Sequence, residues 1–70
     1  MFVLCSDSTY VNMLSLKMIN IEKTRTGNFY IIGYLDHDHY KIIQGFNDLK
    51  EAERVLNNLI VKINSILGGN

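Results

Sequence analysis

The stretch LDHDHY, Leu35 to Tyr40, sets two aspartates and two histidines within six residues. Carboxylate and imidazole together are the donors of many metal sites and the working pair of general acid–base catalysis. A metal site needs three or four converging donors. His37 and His39 are two residues apart, so on an extended strand they project to the same side. They are the weak metal-ligand candidates, and Asp36 joins them only if the chain curls back. The chain holds no third histidine and a single cysteine, Cys5, and structural zinc spacings are absent. A second copy of the chain is the remaining source of ligands. Acid–base catalysis needs a pocket that excludes water and shifts pKa values. The stretch instead lies between two predicted strands, at a hairpin tip, the most solvated place in a fold. Aspartate and histidine are also turn-compatible residues, so a hairpin turn explains these six residues without chemistry. The expectation is no metal, no cofactor and no catalytic residue.

Cys5 follows Phe2, Val3 and Leu4 and reads as a core residue, not an activated nucleophile. No phosphate loop, dinucleotide fingerprint, nucleophile elbow or paired-cysteine motif is present. The sequence therefore reads as a non-enzyme.

A third chemistry is nucleic-acid recognition. Lys17, Lys23 and Arg25 cluster around one predicted strand and its turn, and Tyr30 and Tyr34 offer rings on which bases stack. Against it, seven basic residues are balanced by seven acidic ones, for a net charge of zero. The broad positive field of a nucleic-acid or anionic-membrane binder is missing. Single-stranded nucleic-acid binding stays as the alternative.

The elements that position these residues follow from periodicity. From Leu49 onward, Leu49, Ala52, Val55, Leu56, Leu59, Ile60, Ile63, Ile66 and Leu67 fall at spacings of three and four, one stripe of a helix. Asp48 is a good N-cap, Glu51 completes a capping-box pattern, and Gly68 and Gly69 supply a stop. The spacing predicts a helix over about 48–67, with Phe46 folded onto its base. Asn28 to Asp36 is aromatic and β-branched, with Phe29, Ile31, Gly33 and Leu35 on one face and Tyr30, Ile32 and Tyr34 on the other. Both faces are apolar, which predicts a central strand. His39 to Phe46 is the next strand. Lys17 to Thr24 is the previous one, with Ile19 and Ile21 inward and Asn20 and Glu22 outward. TRTGN between them is a hairpin turn. MFVLC reads as a first strand, SDST as a turn and TYVN as a short second strand, after which Asn12 caps one helical turn over Met13 to Ser15.

The sum is one small α+β domain over 1–70: an antiparallel four- to five-stranded meander over about 1–46, with one long C-terminal helix packed on one face. One helix covers one side of the sheet. Tyr30, Ile32 and Tyr34, joined by Met18 and one of Ile42 or Ile43, are left on the other side, and Ile66 and Leu67 lie on a helix end longer than the strands. Clustered apolar residues of this kind mark an interface. A chain of 70 residues is also short enough to need a staple such as oligomerisation. The expected state is a homodimer that also binds a protein partner. The lone cysteine, the short apolar run without a basic leader, and the lack of any ~18-residue apolar segment predict a cytoplasmic protein without a membrane span.

YVNMLSLKMINIEK followed by YIIGYLDHDHYKIIQGFNDLKEAERVLNNLI resembles a loose group of short bacterial and phage proteins. In that group an aromatic-rich hairpin ends in a Gly-x-Phe-like step and leads into a capped helix with a Glu-Ala-x-x-x-Leu core. Phe46, Asp48, Glu51, Ala52 and Leu56 carry the likeness. Gln44 and Gly45 depart from it, reversing the usual order of glycine then polar residue. The resemblance implies four strands followed by a helix; an accessory role in a phage or mobile element is a separate expectation for such an interaction module. The resemblance implies no enzyme activity and brings no site residues.

Overall fold

The computed structural model describes residues 1–67. Its elements are β1 (Phe2–Leu4), β2 (Tyr10–Asn12), a 3₁₀ turn (Met13–Ser15), β3 (Met18–Lys23), β4 (Phe29–Tyr34), β5 (Tyr40–Phe46) and α1 (Leu49–Leu67). The class is α+β. The strands form two antiparallel sheets, β1–β2 and β3–β4–β5, which corrects the expected single meander. The reason lies in the link between them. Asn12 caps the 3₁₀ turn, its side chain accepting from Leu14 N–H at 3.2 Å. That turn carries the chain away from β2, so β3 starts anew against β4. The β1–β2 hairpin touches the larger sheet at β5, where Ser6 N–H donates to the Ile42 carbonyl at 2.9 Å.

Three short loops close the three hairpins. Cys5 N–H donates to the Thr9 carbonyl at 2.7 Å, Thr24 N–H to Asn28 at 2.8 Å, and Leu35 N–H to His39 at 2.8 Å. The first two loops end on a left-handed residue, Ser8 (φ 68°) and Gly27 (φ 86°). A type I turn followed by a left-handed residue matches the right-handed strand twist. The third loop is held by the Asp36 side chain instead.

The core lies where three surfaces meet. Val3, Cys5 and Val11 come from the hairpin, Ile19, Ile21, Ile31, Leu35, Ile43 and Phe46 from the sheet, and Val55, Leu56, Leu59 and Ile63 from α1. Ile31 and Ala52 are fully buried. At Gly33 a Cβ would lie 2.6 Å from Leu16 Cδ1, so the missing side chain is the seat of Leu16. A β-bulge in β5 sets Ile31 opposite Gln44 but Ile32 opposite Ile42. The extra residue, Ile43, turns into the core, and Ile42 takes the other face beside Ile32.

Asp48 caps α1, its Oδ1 accepting from Lys50 N–H at 3.4 Å. Glu51 does not close the expected capping box; it pairs with Arg54, whose Nε donates at 3.2 Å. The 19 residues of α1 span about 28 Å at 1.5 Å each, against about 20 Å for the six residues of β4. The last turn, with exposed Ile66 and Leu67, therefore runs past the sheet. Gly68 and Gly69, the expected stop, lie outside the described residues. No described helix is long and apolar enough to cross a membrane.

Candidate interaction surfaces

The acidic–histidine tip is organised as a turn. Asp36 Oδ1 accepts from Asp38 N–H at 2.8 Å and from His39 N–H at 2.9 Å, and the His39 ring nitrogen Nδ1 lies 2.9 Å away. These bonds, the His39 ring first, hold the Asp36 carboxyl below the usual carboxylate range. His37 points elsewhere, with Nε2 3.2 Å from Asp38 Oδ2. The two histidines thus take different aspartates. The donor atoms that do come together belong to Asp36, His37 and Asp38, all exposed; His39 is not in that group. Burial pushes the Cys5 thiol up, with Asp7 adding to the shift, the reverse of what an activated nucleophile requires.

The face of the larger sheet away from α1 carries Tyr30, Ile32 and Tyr34, as their pairing shows: Glu22 lies opposite Tyr30, Asn20 opposite Ile32 and Met18 opposite Tyr34. Much of this face is covered by its own neighbours. Ile32 is buried. The Tyr34 hydroxyl donates to Glu22, which raises the Tyr34 pKa, and its ring packs 5.8 Å from that of Tyr40. The Tyr30 ring lies over Gly45, where a Cβ would come within 2.6 Å of Cε1. Beside it is a shallow depression of about 430 Å³ lined by Asn28, Tyr30, Gly45, Phe46 and Asn47.

The three basic residues do not form one patch. Lys23 and Arg25 stand at the Tyr30 end, by the turn that joins β3 to β4, and Lys23 lies 5.8 Å from the Phe29 ring. Lys17 stands at the opposite end, its N–H donating to the Tyr34 carbonyl at 2.8 Å. Among the described residues no ion pair uses any of the three.

A cluster of more exposed apolar side chains lies elsewhere, on the β1–β2 hairpin. Leu4 pairs with Tyr10 and Phe2 with Asn12, so these side chains share one face of the ribbon. Phe2, Leu4 and Tyr10 are 68%, 52% and 66% exposed. Their neighbours Val3 and Val11 turn inward to the core. MFVLC reads as a strand from sequence, and the period-2 alternation of FVL against YVN is the signal that separates its outer face from its inner one. The hairpin tip is tethered by Lys41, whose Nζ lies 3.0 Å from Asp7 Oδ2 and 3.2 Å from Thr9 Oγ1. With the Thr9 hydroxyl as the largest cause and Lys41 next, the Asp7 carboxyl is lowered to about 2.

Comparison with family models, curated proteins and solved structures returns no match. The likeness to short bacterial and phage proteins therefore stands only on the residues quoted for it.

Proposed function

We propose that this chain is a small, non-enzymatic interaction module that self-associates and docks a protein partner through exposed apolar surface. The outward face of the β1–β2 hairpin carries this reading. Three large side chains cluster there on a ribbon whose other face is anchored in the core, and clustered exposed apolar residues mark interaction sites. Ile66 and Leu67, exposed on the overhanging end of α1, add a second apolar spot, and Tyr30 and Tyr34 add half-exposed rings. The setting that fits a lone buried Cys5 is the reducing cytoplasm. An accessory role in a phage or mobile element accords with the sequence likeness. The test is solution mass by light scattering over a dilution series, with capture of proteins on the immobilised chain. A dimer, and partners retained by the wild type but lost by Leu4→Asp, are expected. A monomer throughout, or equal retention by both chains, refutes the reading.

Single-stranded nucleic-acid binding is the second reading. One observation favours it: Lys23 and Arg25 make no ion pair among the described residues and stand at the Tyr30 end of the larger sheet. Retention on single-stranded DNA or RNA that falls steeply with salt supports it; no retention at low salt ends it.

A further inference from the structure

β3 is an outer strand of the larger sheet, hydrogen-bonded to β4 alone. The side of its backbone that β4 leaves free can be read from the turn that follows. Thr24 N–H donates to the Asn28 carbonyl, so these two residues are a hydrogen-bonded pair. In an antiparallel ladder such pairs alternate with non-hydrogen-bonded ones. Glu22, Asn20 and Met18 therefore direct their backbone groups to β4. Ile19, Ile21 and Lys23 direct theirs outward. The edge is unbroken by proline or bulge, and such edges are templates for a further strand.

Asn20 sits at the middle of this edge, on the sheet face away from α1. Its Oδ1 is shut off from solvent and has no hydrogen-bond partner, an arrangement that disfavours the isolated chain. The same edge borders an apolar groove of about 210 Å³ whose walls include Leu16, Met18, Ile19, Ile60 and Ile63.

We propose that two copies of the chain pair antiparallel through β3, with Asn20 facing Asn20 across a two-fold axis, to make one six-stranded sheet. This rests on the reading of the chain as self-associating and names the surface that does it. The register follows from three constraints. Residues opposite each other must share a sheet face, and outward backbone groups must meet outward groups. An axis at any residue of β3 satisfies both, so the third constraint, a donor opposite Asn20 Oδ1, decides: an axis at Ile19 sets Asn20 against Met18, which has no donor, and one at Glu22 sets two carboxylates face to face. The Ile21 axis sets Asn20 against Glu22 of the second copy, a carboxylate that only accepts and leaves Oδ1 orphaned. The Asn20 axis sets Ile19 against Ile21, Met18 against Glu22, and amide against amide. Asn20 then occupies a non-hydrogen-bonded site, where opposing Cα atoms come within about 4.5 Å. A turn about χ2 lets each Nδ2–H donate to the other Oδ1. The assembly closes at two copies, because each sheet spends its one β3 edge and β5 is already met by Ser6.

The experiment is cysteine cross-linking in the full chain. Asn20→Cys is oxidised under mild conditions and is expected to give a disulfide-linked dimer as the main product. In this register two Glu22→Cys residues lie about 14 Å apart, beyond disulfide reach, and are expected to stay monomeric on a non-reducing gel. Cys5, buried with its thiol pKa raised, stays out of the exchange. A wild-type dimer in which Asn20→Cys fails to cross-link, or Glu22→Cys links equally well, overturns the edge and register but leaves self-association standing. A wild type that is monomeric at every concentration overturns both.

Discussion

Tyr10 and Val11 are neighbours in β2 with opposite fates, and replacing each by aspartate tests the hairpin directly. Val11 is 7% exposed and packs in the central cluster. Val11→Asp forfeits about 1.5–3 kcal/mol of apolar burial, and a carboxylate left unpaired in the core adds several kcal/mol more. A domain of 70 residues has roughly 3.5–10 kcal/mol in total at 0.05–0.15 kcal/mol per residue. Val11→Asp is expected to unfold most of the population at 25 °C. Tyr10 is two-thirds exposed, so Tyr10→Asp loses about a third of a buried side chain, at most about 1 kcal/mol. The poorer strand propensity of aspartate adds up to about 1 kcal/mol. The assay is urea unfolding followed by far-UV circular dichroism. Tyr10→Asp should unfold cooperatively with an unchanged slope and a midpoint lowered by about 1 M. Val11→Asp should show little folded baseline. If Tyr10→Asp is as damaging as Val11→Asp, the hairpin does not face the core as described, and its outer face is no docking surface.

Ser8 holds a left-handed φ of 68° without being glycine; Ser8→Gly should relieve about 1 kcal/mol of strain, less part of the added unfolded-state entropy, and raise the thermal midpoint by a few degrees. The Asp7–Lys41 tether makes an acid prediction. Asp7 is lowered from 3.8 to about 2 on folding, so its contribution is fully present above pH 3.8 and is lost as pH falls from there through about 2. Asp7→Asn should remove that part of the acid dependence, read from unfolding midpoints against pH. Gly45→Ala forces a Cβ to 2.6 Å from the Tyr30 ring and should cost about 1–3 kcal/mol. Adding Tyr30→Ala should recover part of that loss, and no recovery refutes the stacking.

Local signals made most of the fold legible. The helix start at Leu49 followed from Asp48 and the stripe behind it, and the two β4 faces followed from strict alternation. Gly27 marked its turn because only a left-handed residue closes that loop. The rest depended on long-range pairing. Whether Ile42 or Ile43 faced the core turned on a bulge whose position comes from the β4 register, which no window of β5 encodes. The split into two sheets turned on where β3 found a partner. The site residues divide in the same way. The LDHDHY turn was readable because Asp36 bonds locally to Asp38 and His39. The separation of Lys17 from Lys23 and Arg25 was not, because nearness in sequence conceals the full length of β3 between them. Asn20 gave no sign at all, since an orphaned amide is defined by what surrounds it.

Folding and association should be coupled in this molecule. Among the described residues seven apolar side chains are buried, while ten large apolar ones are exposed. A core of that size leaves a small domain marginal, and apolar surface that folding leaves in water is the remaining source of stabilisation. A dimer contributes to stability by mass action: at a hundredfold above its Kd, binding adds up to about 2.7 kcal/mol. For a domain of this size each kcal/mol moves the thermal midpoint by roughly 4–8 °C. Each association event stabilises two chains, so a hundredfold rise in concentration is worth about 1.4 kcal/mol per chain, and scanning calorimetry over that range should show the midpoint rising by roughly 5–10 °C. In an Asn20→Lys variant two ammonium groups meet at the axis, and the midpoint should no longer depend on concentration. A midpoint in the wild type that stays fixed across that range would mean that the chain folds alone, and that its exposed apolar side chains serve a partner other than itself.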